Sequence, residues 1–148
     1  MKRNLILVGI SVISSLLTFG CFESELNCAD LIKEFSDLPQ ELKFQGCQPG
    51  NYHQIRALRA KYQVSGKDSL VIENFLITNY GMSPLRFVCC GWESVSNSQG
   101  MRHGTYTDHR GYFYELQMYS GEVLIPEQLR RKDVPYFYVE IIAFLEDS

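Results

Sequence analysis

The sequence has no internal repeat, no low-complexity tract, no excess of basic residues and no two cysteines spaced as C-x-x-C. Each absence removes a class of protein. Without repeats or biased tracts, the chain is neither a repeat array nor a compositional linker. Lys and Arg number 14 against 17 Asp and Glu. A general nucleic-acid binder presents a basic face, so nucleic acid is not expected as a partner. Without spaced cysteines there is no familiar redox pair and no zinc-ligand spacing, so neither metal nor other cofactor is expected.

Charge is also missing from Asn4 to Gly20. Met1-Lys2-Arg3 is a basic start, and the run behind it carries Leu5, Ile6, Leu7, Val8, Ile10, Val12, Ile13, Leu16, Leu17 and Phe19. A basic tip, an apolar run and a small residue before Cys21 are the pattern of a secretory signal. The run has no polar face, which argues against a buried N-terminal helix of a cytosolic domain. It is short for a bilayer span and is broken by Ser11, Ser14 and Ser15, which argues against an uncleaved anchor. Residues 1–20 are therefore expected to be a signal peptide, residues 21–26 a tether and residues 27–148 one domain. Without Lys2 and Arg3, 12 basic side chains face 17 acidic ones.

Two cleavage readings compete. Gly20-Cys21 fits lipoprotein processing, in which Cys21 carries lipid. Thr18 and Phe19 depart from the usual pattern, and Leu17 stands one place early. The other reading is an ordinary peptidase cutting near the same place. The cysteines favour the first. If Cys21 is acylated, Cys28, Cys47, Cys89 and Cys90 remain, an even number suited to disulfides in an exported protein. A strand through Cys89 and Cys90 would point them to opposite faces, so Cys28 and Cys47 are each expected to bond one member of that pair.

Along the mature chain, Asn27-Cys28-Ala29-Asp30 resembles a capping box opening a helix, with Leu31, Ile32 and Phe35 inward. Leu42 to Cys47 alternates as a strand, and Pro49-Gly50-Asn51 marks a turn. A second strand runs from Ile55 to Val64, with Leu58, Ala60, Tyr62 and Val64 on one face. Ser65-Gly66-Lys67-Asp68 opens a second helix with the stripe Val71, Ile72, Phe75 and Leu76, closed by Gly81. Leu85 to Glu93 is apolar on both faces and reads as a central strand. Ser94 to Gly104 reads as a loop, Tyr112 to Met118 as a strand, Ile125 to Lys132 as a short helix and Pro135 to Leu145 as the last strand. The expectation is an α+β fold: a mainly antiparallel sheet of about five strands with two helices packed on one face.

Four features are candidates for chemistry. Adjacent Cys89 and Cys90 suggest either a redox or metal site, or structural disulfides; the missing spacing favours disulfides. His103, Asp108 and His109 could form a general-base or metal site in an envelope enzyme, provided they converge in one pocket. Arg130-Arg131-Lys132, with Asp133 and Glu127 nearby, reads as a solvated turn; contact with lipid head groups or an acidic partner is the alternative. Tyr106, Tyr112, Tyr114, Tyr119, Tyr136 and Tyr138 either pack the sheet or form a binding surface. Trp92 is expected in the core.

The stretch Pro84-Leu85-Arg86-Phe87-Val88-Cys89-Cys90-Gly91-Trp92-Glu93 resembles the signature of a family of small exported bacterial proteins of unknown function. Pro135-Tyr136-Phe137-Tyr138-Val139 is similar to that family's C-terminal strand, and Cys28-Ala29-Asp30-Leu31 to its first helix. The resemblance spans most of the mature chain. It implies export and a compact single domain, and it brings no activity and no catalytic residues. The expectation is an exported protein, periplasmic or held to a bacterial membrane through lipid on Cys21. It would act without catalysis, by binding a protein or envelope component.

Overall fold

The structure is a computed structural model, and it describes residues 25–94, 103–122 and 130–145. The first helix, α1 (Cys28–Glu34), starts as its sequence demands. The Asn27 side chain accepts from the Ala29 and Asp30 amides at 2.9 and 3.2 Å, and the Asp30 carboxylate accepts from the Asn27 amide. These bonds satisfy donors that the first turn would leave orphaned. Leu31 and Phe35, four apart, are buried together, whereas Ile32 is 37% exposed rather than inward. Ile32 lies about 100° around the helix from Leu31, beyond the edge of a one-sided stripe.

Strands β1 (Lys43–Tyr52) and β2 (Ile55–Ser65) pair antiparallel. The hairpin turn falls at His53-Gln54, not at Pro49-Gly50-Asn51, which continue β1 opposite Leu58, Ala57 and Arg56. Both turn residues have positive φ, 49° and 70°, as a two-residue hairpin requires. Pro49 fits within β1 because β1 is the outermost strand, where a missing amide donor is tolerated.

The second helix, α2 (Ser69–Tyr80), ends at Gly81 in the left-handed conformation, φ 68°. Only half of the expected capping box forms ahead of it: the Ser65 hydroxyl accepts from the Asp68 amide at 3.3 Å, but the Asp68 carboxylate accepts from that hydroxyl at 2.7 Å rather than from a backbone amide, and Asp68 makes no side-chain cap to the helix. Ile72 and Leu76 are buried, whereas Val71 is 55% exposed.

The run expected to form one central strand folds back on itself. It forms β3 (Leu85–Val88) and β4 (Gly91–Ser94), with Phe87 opposite Trp92. Cys89, at φ 53°, supplies the left-handed residue of the two-residue turn. This hairpin lies at the edge of the sheet, and Phe87 and Val88 are exposed. Three more strands follow: β5 (Gly104–Thr107), β6 (Phe113–Ser120) and β7 (Tyr136–Phe144). Among the described residues the sheet has seven strands in the order β1-β2-β7-β6-β4-β3, with β5 also beside β6, and every pairing is antiparallel. The expectation of five fell short by two because one run splits into a hairpin and β5 forms just after the expected Ser94 to Gly104 loop, where no element was expected. Of the expected helix at Ile125 to Lys132, residues 125–129 lie outside the described residues. Arg131–Asp133 forms a single 3₁₀ turn.

The hairpin also changes the disulfides. Cys28 pairs with Cys47, Cα atoms 5.8 Å apart, tying α1 to β1. Cys89 pairs with its neighbour Cys90. The opposite-face argument holds inside a strand and lapses in a turn.

Leu58, Ala60, Tyr62 and Val64 of β2 join Phe137, Val139, Ile141 and Ala143 of β7 and Tyr114, Leu116 and Met118 of β6 in one core cluster. Leu31 and Phe35, from α1 and its C-cap, and Ile72 and Leu76 of α2 belong to the same cluster, so both helices cover this face of the sheet. Each fully buried large side chain contributes about 1.5–3 kcal/mol. Phe35 packs edge-on against Tyr106 and Tyr114, at 5.7 and 5.3 Å between ring centroids. No described helix is long and apolar enough to cross a membrane.

Candidate functional site

Residues alternate across each strand, so the helix-free face carries the other half of β2, β6 and β7. On β2 these are Arg59, Lys61 and Gln63. Opposite them, Lys61 pairs with Glu140, Gln63 with Tyr138 and Arg59 with Ile142 of β7. One strand further on, Glu140 faces Gln117 and Tyr138 faces Tyr119 of β6. The result is a polar and aromatic array spanning the middle of the sheet.

Glu140 is its centre. It is only 6% exposed, in a strand otherwise buried from Val139 to Phe144. Three donors satisfy it: Arg59 Nη2 at 2.8 Å and Gln117 Nε2 at 2.9 Å on Oε2, and the Tyr119 hydroxyl at 2.9 Å on Oε1. Burial pushes the Glu140 carboxyl up, and bonds from Arg59, Tyr119 and Gln117 more than offset this, holding it below the ordinary glutamate range. The same bonds fix the side chains of Arg59, Gln117 and Tyr119. Lys61 completes the array, with Nζ 4.1 Å from the Tyr138 ring centroid and 5.9 Å from that of Tyr119. Glu140 separates two shallow depressions, one towards β1 and one towards β4.

The histidine–aspartate candidates do not converge. His103 precedes β5 and Asp108 follows it, five residues apart along an extended stretch and so separated by about 15 Å. His103 Nδ1 lies 3.2 Å from a Glu115 carboxylate oxygen, and its Nε2 is enclosed with no hydrogen-bond partner among the described residues. An enclosed nitrogen is not presented to a substrate. His109 is exposed. Asp108 is buried and accepts from the Arg110 and Tyr112 amides at 2.9 and 3.0 Å, from Arg110 Nε at 3.1 Å and from the Tyr114 hydroxyl at 2.9 Å. Its bonds are spent on organising the β5–β6 turn. Among the described residues no cluster of three His, Cys, Asp or Glu side chains is arranged to hold a metal.

Arg131 is bound rather than free in solvent. Both its Nη atoms bind the buried Glu73 carboxylate, and Nη2 also donates to the Leu85 carbonyl at 2.9 Å. Trp92 is half-buried rather than core, with the Arg131 guanidinium carbon 4.8 Å from its ring centroid. The tyrosines divide between the two expected roles. Tyr114 is fully buried, Tyr119 and Tyr138 belong to the array, and Tyr136 is 51% exposed. Arg59, Lys61, Gln117 and Glu140 were not singled out in the sequence, although a lone glutamate inside an apolar strand demands a partner.

Glu140 and Asp108 set the response to acid. Asp108, like Glu140, is raised by burial and lowered further by its donors, Tyr114 first. A carboxyl depressed in the folded state adds stability that is fully present above its unfolded pKa, about 4. That stability disappears as pH falls through the lower folded value. The urea midpoint is therefore expected to drop steadily below pH 4, and Glu140→Gln to flatten the drop. A midpoint independent of pH between 4 and 2 would contradict these assignments.

Cys21 lies outside the described residues. Residues 20–92 of the chain match a family described as a domain of unknown function (DUF4952). The matched stretch contains Cys28-Ala29-Asp30-Leu31 and runs through Cys89-Cys90 to Trp92; Pro135–Val139 lies beyond it. No curated protein and no solved structure matches the chain. The chain is thus similar, over residues 20–92, to a domain family whose description carries no activity.

Proposed function

We propose that this chain is an exported, lipid-anchored binding domain that recognises a protein or envelope component through the helix-free face of its sheet, without catalysis. In this reading residues 1–20 are a cleaved signal, Cys21 carries the lipid and the domain begins at residue 27. The observation that carries the anchor is the disulfide pattern. Four of the five cysteines pair with one another, which leaves Cys21 as the odd sulfur at the end of the basic-apolar leader. Paired cysteines also suit an oxidising compartment.

The recognition face is supported by the array around Glu140. Its side chains are held by one buried acceptor, so a partner would meet preordered groups and less entropy would be lost on binding. The start of the domain sets its orientation. Glu25 pairs with Arg56 at 2.7 Å, and the Leu26 amide donates to the Tyr112 hydroxyl at 3.3 Å, both near the start of β2. Four residue steps of at most about 3.6 Å each separate Cys21 from Glu25, so the β1–β2 turn end would sit close to the lipid surface.

The test is expression of the full chain in a bacterium with lipoprotein processing, followed by detergent phase separation and mass analysis of the N-terminal peptide. The expected product begins at acylated Cys21 and partitions into detergent, and Cys21→Ser moves the chain out of that phase. A product cut near residue 20 without lipid would remove the anchor but keep export. Recovery of the uncut chain from the cytoplasm would overturn both.

A further inference from the structure

We propose that the groove between β1 and β2 on the helix-free face binds the oxyanion group, carboxylate or phosphate, of a small ligand, clasped between Arg59 and Lys61. The inference rests on reading that face as the recognition surface, and it adds the chemical class of what is recognised.

The backbone opens the groove. The β1–β2 register slips between Phe44 and Gly46, and Gly46 lies opposite Lys61 with φ 151°, a conformation that favours glycine. A Cβ placed on Gly46 would meet nothing within 4 Å. The outer strand therefore sets no side chain over Lys61, and the space stays open. It has a volume of about 330 Å³ and is lined by Gln45, Gln48, Arg59, Lys61 and Glu140, among others. That is the low end of the range for small-molecule sites.

The charges in the groove point one way. Its ionisable side chains are two cations and one anion, in a chain whose formal net charge is −3. The anion is already engaged, because Glu140 accepts from Arg59, Gln117 and Tyr119. Arg59 gives it one nitrogen, and its remaining N–H groups have no acceptor among the described residues. Lys61 has no oxygen acceptor among the described residues; its ammonium is instead held over the Tyr138 ring. Two residues apart on one strand, the cations stand about 7 Å apart at their bases, close enough for both to reach one oxyanion. Gln45 and Gln48 add neutral amides at the rim. Anionic neighbours on the face are Glu115, which is paired with His103, and Glu93 in the other depression.

Inorganic phosphate and acetate serve as separate probes, added to the full chain in detergent at constant ionic strength, with backbone amide shifts followed by NMR. Saturable shifts are expected at Gly46, Gln48 and Lys61 and not at Ile72 or Leu76 of the core helix. Lys61→Gln is expected to weaken binding about tenfold, while Lys33→Gln on α1 leaves it unchanged. Saturation by phosphate alone assigns a phosphate ligand, and saturation by both probes assigns a site that accepts carboxylate. No saturation by either probe up to about 50 mM overturns the proposal, since a binding constant that weak is worth less than about 2 kcal/mol. Equal weakening by the two lysine variants would also overturn it, by showing diffuse attraction rather than a site. Anchorage is read by phase separation and the groove by amide shifts, so failure of one is distinguishable from failure of the other.

Discussion

Arg131→Ala is expected to lower the unfolding free energy by about 3–5 kcal/mol, the cost of leaving a buried carboxylate without its cation. Glu73 projects from α2, is 3% exposed and has its charge matched by Arg131. The Leu85 amide donates to the same carboxylate at 2.5 Å, and Arg131 returns a bond to the Leu85 carbonyl. One ion pair thus fastens α2, the start of β3 and the 3₁₀ turn, with Trp92 of β4 stacked beside the guanidinium. Gly66 adds to the constraint, because a Cβ there would collide with the carbonyl oxygens of Arg131 and Val134. Glu73→Ala alone should cost less than Arg131→Ala, since a guanidinium 24% exposed can recover some water. Glu73→Leu with Arg131→Met should cost far less than the sum of the single changes, because apolar replacement leaves no orphan charge. Urea denaturation of the four proteins measures the coupling. Near-zero coupling would mean that the pair is decorative and that the edge hairpin is held by something else.

The basic run containing Arg131 shows where the sequence could be read and where it could not. Three adjacent cations beside an aspartate look solvated, and for Arg130 that is right: its side chain is 71% exposed and pairs with Asp133. Nothing local distinguishes Arg131, because its partner Glu73 lies 58 positions away. The elements themselves were legible. Alternation placed Leu58, Ala60, Tyr62 and Val64 on the core face, and Asn27 and Gly81 marked real helix ends. Turns misled when their residues were unconventional. Pro49-Gly50-Asn51 carries the composition of a turn, yet the chain turns at His53-Gln54, which tolerate the left-handed region without advertising it. The same happened at Cys89, where apolar residues on both sides implied burial and the chain instead formed an exposed hairpin. The array around Glu140 was half legible. Arg59, Lys61 and Gln63 alternate with Leu58, Ala60, Tyr62 and Val64 and so share the opposite face, but the register that sets Glu140 opposite Lys61 and Gln117 is a long-range fact.

Asp108→Ala is the second change with a large expected effect, about 3 kcal/mol or more, and it separates a structural role from a catalytic one. The Asp108 side chain is fully enclosed, and Arg110 reaches it through Nη2 at 3.0 Å as well as Nε. Its carboxylate also holds two amides of its own turn, whose chain reversal is closed by the Gly111 amide on the Asp108 carbonyl at 3.1 Å. Removing it strands the Tyr114 hydroxyl in the middle of the core, where burial and the bond to Asp108 already raise the phenol's pKa. Asp108→Asn keeps one oxygen but turns the other into a donor facing Arg110 or Tyr114, both of which donate. It should therefore recover only part of the loss. A catalytic carboxylate behaves differently, because such groups are often strained and their neutral replacement leaves stability equal or higher. Denaturant midpoints for Asp108→Ala and Asp108→Asn, read with the near-ultraviolet signal of the tyrosines, decide between the two roles. Wild-type midpoints in both variants would return Asp108 to the list of candidates for chemistry. A loss in the order Ala greater than Asn fixes it as the group that builds the β5–β6 turn and, through Tyr114, couples that turn to the aromatic cluster beneath α1.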